Sequence, residues 1–151
     1  GEFNKSIFVL GSPDLDLMDE SNLPSLEKAK NYYDIPFDDF AIAMFHPITT
    51  EYKYIKSYAK NFVNALIESH INYILIYPNN DLGSSEILEE LESLKLFDRI
   101  KIFPSLRFEY FLRFLKESQF IIGNSSAGIR EAPFYNVPTV IIFSRMNNCK
   151  P

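Results

Sequence analysis

Cysteine is nearly absent from this 151-residue sequence, and the single one, Cys149, lies within the last three residues. No disulfide can form within the chain, which fits a reducing compartment. No apolar run approaches the ~20 residues that a membrane-spanning helix needs. The first residues lack the charged segment and apolar core of a secretory leader. A cytoplasmic location is therefore expected, with no membrane partner. Basic residues are also in deficit: 15 Lys and Arg face 20 Asp and Glu, a formal net charge of −5. No Lys/Arg stripe interleaved with aromatics tracks a phosphate backbone, so nucleic acid is not expected as a partner. A Walker lysine and a Gly-x-Gly-x-x-Gly run are both missing, which argues against a P-loop nucleotidase and an ordinary dinucleotide site. Internal repeats and low-complexity tracts are absent as well.

Apolar material is plentiful. At 46% hydrophobic and 15% aromatic, with 23% charged residues, the chain can bury a full core in one domain and is not disordered. Its opening "GEF" has the look of a cloning remnant, and the sequence stops at Pro151, eight residues after the end of a strand-like run. A piece of a longer protein is expected.

Short apolar runs alternate with helical stripes. "FAIAMF" at 40–45, "YILIY" at 73–77, "RIKIF" at 99–103, "FIIG" at 120–123 and "PTVIIF" at 138–143 read as parallel strands, the first two with the pattern of buried ones and the first three closed by Pro47, Pro78 and Pro104. Between them, Ile55, Tyr58, Phe62 and Leu66 recur at spacings of three and four. Ile87, Leu91 and Leu94 mark a second helix, with Ser84 or Ser85 as its cap. Phe108, Phe111, Leu112 and Leu115 mark a third, and a fourth is expected from about Ala127 to Tyr135. His70 closes the first helix and reads as a C-terminal cap. Strands alternating with helices predict a Rossmann-like, doubly wound parallel α/β sheet in the order 3-2-1-4-5.

That topology places a ligand outside the carboxyl ends of strands one and four, where the strand order reverses. Strand one ends in "FHPITTE" and strand four in "GNSSAG". Gly123 allows an unusual turn, and Ser125 or Ser126 caps the next helix and leaves first-turn N–H groups for a phosphate. Gly128 removes a Cβ that would hold a ligand off the backbone. Glu131, one turn on, can accept hydrogen bonds from a ribose diol. His46, held by Pro47, brings a titratable imidazole to the crevice. Against each stands a plainer reading: a serine cap, a solvated carboxylate, a structural histidine. Arg107, Arg130 and Arg145 read singly as surface residues.

The ordered segments "FHPITTE", "YPNNDLGS", "IFPSLRFEYF" and "GNSSAGIREAPFYNVPT" resemble the C-terminal domain of the hydrolysing UDP-N-acetylglucosamine 2-epimerases, above all the branch that serves sialic and related nonulosonic acids. "GSPDLD" is similar to the segment that links the two Rossmann-like domains of that GT-B fold. The resemblance implies the C-terminal half of a GT-B fold, with residues 1–16 linking from a missing N-terminal domain and 17–151 forming a truncated nucleotide-binding domain. It implies that His46 lies near the diphosphate and takes part in catalysis. Ser125, Ser126 and Gly128 form the diphosphate turn, Glu131 holds the ribose, and the loop from Leu106 through Arg107 to Phe108 presents its backbone to uracil, Arg107 less firmly. The implied reaction eliminates UDP as a base removes the C2 proton, then adds water to give N-acetylmannosamine. That scheme needs no metal and no redox cofactor.

The implied partners are a UDP-sugar and the missing N-terminal domain, whose carboxylates supply the base; the homo-oligomeric state of the full-length protein stays open. The tail "FSRMNNCKP" keeps Arg145 but has Met146 and Cys149 where glutamine and arginine belong, so the fragment alone is expected to be inactive. Three other readings remain: a GT-B glycosyltransferase that uses an acceptor, an epimerase acting on a UDP-diacetamido-trideoxy sugar, and a flavodoxin-like module. The last would want acidic strand ends, which this chain does not have.

Overall fold

The computed structural model describes Ser6, Phe8 and residues 14–142. Five parallel strands form one sheet in the order β3-β2-β1-β4-β5, the order expected from sequence. They are β1 (Ala41–Met44), β2 (Tyr73–Ile76), β3 (Ile100–Phe103), β4 (Ile121–Gly123) and β5 (Thr139–Ile141). Among the described residues six α-helices accompany them: α1 (Asp14–Met18), α2 (Leu26–Tyr33), α3 (Ile55–Glu68), α4 (Ser84–Leu91), α5 (Phe108–Glu117) and α6 (Ala127–Arg130). The 1–16 linking segment and the tail from Arg145 to Cys149 lie mostly or wholly outside the described residues. The expected boundary after residue 16 falls inside α1.

The period of two in the strands splits the core into two layers. Ile42, Ile74, Ile76 and Ile121 point to the side of Phe111, Leu112, Phe114 and Leu115 on α5, together with Met18 and Ala29 from α1 and α2. Ala41, Ala43, Tyr73 and Leu75 point the other way, toward Ala59, Phe62, Val63 and Leu66 of α3 and Ile87 and Leu91 of α4. Phe45, just past β1, stacks on Phe62 with ring centroids 5.1 Å apart.

Several local expectations needed revision. The polar stretch before β1, to which the sequence pattern assigns no helix, holds α1 and α2; Ser25 caps α2 by accepting the Lys28 N–H at 3.2 Å. At α4 the cap is not a serine. Gly83 precedes the helix with φ +101°, and the Ser84 hydroxyl reaches back to the carbonyls of Asn79 and Asp81. The α3 C-cap is Ser69, and His70 follows in the left-handed region at φ 57°. The fourth helix is much shorter than 127–135. It stops after four residues, and a 3-10 turn at Pro133–Tyr135 replaces the rest, because Pro133 has no N–H to continue an α-helical ladder.

The register sets the rim of the sheet. Phe103, Ile76, Met44, Gly123 and Ile141 lie side by side in one row across it. Every strand thus ends at the same level, and the loops that follow share one crevice.

Candidate functional site

A cavity of about 470 Å³ opens on that rim, lined by Met44, His46, Ile76 to Asn79, Pro104 to Leu106, Phe108, Phe111, Ser125 to Ala127 and Glu131. It spans the ends of β1, β2, β3 and β4. It therefore gathers His46, Ser125, Ser126, Glu131, Leu106 and Phe108, six of the residues singled out in the sequence.

Gly123 makes the turn out of β4. Its φ is +141°, and a Cβ there would meet the Met44 carbonyl oxygen at 1.7 Å, so only glycine fits. The chain then swings away through Asn124, whose N–H donates to the Met44 carbonyl at 3.2 Å. Among the described residues, the backbone N–H groups of Ser125 and Ser126 have no acceptor. Ser125 Oγ accepts the Ala127 N–H at 3.3 Å, and Ser126, the residue before α6, makes no side-chain cap. Two free donors at the mouth of a cavity suit an anion. A helix of four residues adds little macrodipole, so the backbone donors carry the attraction.

Glu131 is 8% exposed, and its Oε2 is buried with no hydrogen-bond partner among the described residues. Burial pushes its carboxyl above the ordinary carboxylate range; its own N–H and Arg130 oppose the shift in part, and Asp14 adds to it. A buried oxygen without a donor is costly unless something supplies one. A sugar hydroxyl would.

His46 is 5% exposed. Its Nδ1 accepts the Asn79 N–H at 3.1 Å. A neutral ring therefore carries its proton on Nε2. An imidazolium would set a second proton against the Asn79 N–H, so the bond as placed favours the Nε2–H tautomer. Neither Asn79 nor the Tyr33 hydroxyl described below was singled out in the sequence; a backbone N–H and a side chain from a distant helix leave no local signal.

Two expected contacts are redirected. Gly128 does not open its backbone to a ligand: a Cβ there would lie 2.6 Å from Thr139 Cγ2, and the Gly128 carbonyl accepts the Thr139 hydroxyl at 2.9 Å. The glycine serves close packing of α6 on β5. Arg107 is not part of the cavity wall. Its guanidinium pairs with Glu109 at 2.7 Å and lies over Tyr110, 5.6 Å from the ring centroid. The Arg107 N–H donates to the Tyr33 hydroxyl at 3.0 Å, so that donor is spent on α2. Leu106 and Phe108 flank it on the cavity side. Arg130 pairs with Asp14 at 2.5 Å.

Known proteins point the same way. A family model described as UDP-N-acetylglucosamine 2-epimerase matches residues 1–150. The UDP-N-acetylglucosamine 2-epimerase of Neisseria meningitidis serogroup B is 51% identical over 98% of this chain and 39% of its own length. The UDP-N,N'-diacetylbacillosamine 2-epimerase (hydrolyzing) of Legionella pneumophila is 28% identical over 97% of the chain and 39% of its own length. Among solved structures, the S. aureus MnaA-UDP co-structure superposes with a TM-score of 0.62 at 23% identity, over 97% of this chain and 39% of the other. That likeness shows the fold: the sheet is Rossmann-like, as in one half of a GT-B enzyme. The chain spans about two fifths of the length of these relatives. Among the described residues no helix is long and apolar enough to cross a membrane.

Proposed function

Since the chain belongs to the UDP-N-acetylglucosamine 2-epimerase family, we propose that it is the UDP-binding half of a hydrolysing enzyme that converts UDP-N-acetylglucosamine to N-acetylmannosamine and UDP for sialic acid-type sugars. The observation that carries this reading is the common cavity: His46, Ser125, Ser126, Glu131, Leu106 and Phe108 all line it. In the proposed complex the Ser125 and Ser126 N–H groups hold the diphosphate, Glu131 accepts from the ribose hydroxyls, and uracil lies against Leu106 and Phe108. Gly128 and Arg107 support this arrangement from behind, through β5 and α2.

In the proposed reaction a base removes the C2 proton while the C1–O bond to UDP breaks, giving a glycal and UDP. Water then adds across the double bond, its oxygen to C1 and a proton to C2 on the opposite face. The neutral His46 Nε2–H donates to the departing diphosphate, where negative charge grows. The C2 base comes from the other domain, so this chain alone is expected to release no UDP. The preference for N-acetylglucosamine over a diacetamido-trideoxy sugar follows the 51% relative's name over the 28% relative's. Consumption of a nucleotide sugar and the lone cysteine fit a cytoplasmic enzyme.

Product analysis of the full-length enzyme, with water as the sole acceptor, tests the proposal. Free N-acetylmannosamine and UDP in equal amounts are expected. Recovery of UDP-N-acetylmannosamine would identify a non-hydrolysing epimerase, and a requirement for a sugar acceptor would identify a glycosyltransferase.

A further inference from the structure

Asn124 is 2% exposed, and its side chain bonds only to the main chain of a residue 78 positions away. Asn124 Oδ1 accepts the His46 N–H at 2.7 Å, and Asn124 Nδ2 donates to the His46 carbonyl at 2.8 Å. The β1–β4 ladder ends at the Met44–Gly123 pair, where the Gly123 turn carries the β4 backbone away. The carboxamide takes over from there. Its C=O and N–H stand in for one more peptide unit, continuing the ladder out to His46 after the strand itself has left. Asn124 also directly precedes Ser125, so one residue joins the imidazole-bearing loop to the anion-binding turn.

We propose that Asn124 is a positioning residue for the reaction: by gripping both main-chain groups of His46, it fixes the imidazole relative to the diphosphate held at Ser125 and Ser126. The proposal rests on the functional reading above. Aspartate has the same shape but lacks the amide donor, so Asn124→Asp sets a carboxylate oxygen against the His46 carbonyl and breaks half the grip. A buried polar network with one group unpaired loses its fixed geometry.

The test is a double-mutant cycle in the full-length enzyme, following kcat and melting temperature. Asn124→Asp and the smaller Asn124→Ser should lower kcat by up to about 100-fold, the scale of a misplaced catalytic group. In a His46→Ala background either change should add little, because nothing remains to be positioned. Equal losses in both backgrounds would overturn the proposal. Normal kcat in His46→Ala would instead overturn the reading of His46 itself. In the unaltered 151-residue chain, the Asn124 side-chain amide protons should exchange slowly with solvent in NMR spectra; free exchange would overturn the grip even if neither variant folds.

Discussion

Gly123 and Met44 are in such close backbone contact that a Cβ on residue 123 would fall 1.7 Å from the Met44 carbonyl oxygen. The φ of +141° adds a second penalty for any other residue. Gly123→Ala should therefore destabilise the chain by roughly 3 kcal/mol or more, or prevent folding. Urea unfolding monitored by circular dichroism measures it. A loss under about 1 kcal/mol would mean that the turn at the end of β4 can rearrange freely.

Gly128 and Thr139 make a reciprocal pair. Gly128→Ala should cost about 1–3 kcal/mol through overpacking against Thr139 Cγ2. Thr139→Ser removes that methyl and keeps the hydroxyl that donates to the Gly128 carbonyl, so the double variant should recover most of the loss. If Gly128→Ala left stability unchanged and weakened only UDP binding, the glycine would face the ligand after all.

Glu131 trades stability for binding. Burial raises its carboxyl above the ordinary value of 4.5 in the folded chain. Its favourable contribution is thus complete below the unfolded-state value and is lost as pH rises through the folded-state value. Once ionised, the partnerless oxygen opposes folding. Glu131→Gln should melt higher by a few degrees at pH 7, on the order of 1 kcal/mol, with the gap closing toward pH 4. The same variant should bind UDP more weakly. Thermal melts at the two pH values, paired with a UDP titration, check both halves; a variant less stable at pH 7 would contradict the sign.

His46 acts as a neutral donor in this account, which separates two replacements. In the full-length enzyme His46→Ala should lose about 100-fold to 1000-fold in kcat. His46→Gln retains an N–H and should lose less. An imidazolium mechanism predicts equal losses, and a structural role predicts a fall in melting temperature with near-normal kcat.

The strand order and the rim were legible because each of the first four strands is a short apolar run closed by proline or glycine, and because parallel crossovers leave few topologies. Asn124 stood in a motif already singled out, yet its hydrogen bonds to His46 exist only once β1 and β4 are neighbours. Helices α1 and α2 were missed because most of their residues are polar or exposed; Ala29 is the only buried residue of α2. Arg107 and Gly128 were read as ligand contacts from their place in a motif. Sequence does not say which way a side chain or a missing Cβ points, and Glu109, Tyr33 and Thr139 decided it.

The most direct test of the central claim is titration of the 15N-labelled 151-residue chain with UDP. Half of the cleft belongs to the other domain, so weak binding is expected, with the largest amide shifts at Ser125 and Ser126 and smaller shifts there with UMP. Ser126→Tyr and Glu131→Gln should each weaken the response. Unmoved Ser125 and Ser126 signals at millimolar UDP, with shifts elsewhere or none, would contradict the assignment of this turn to the diphosphate.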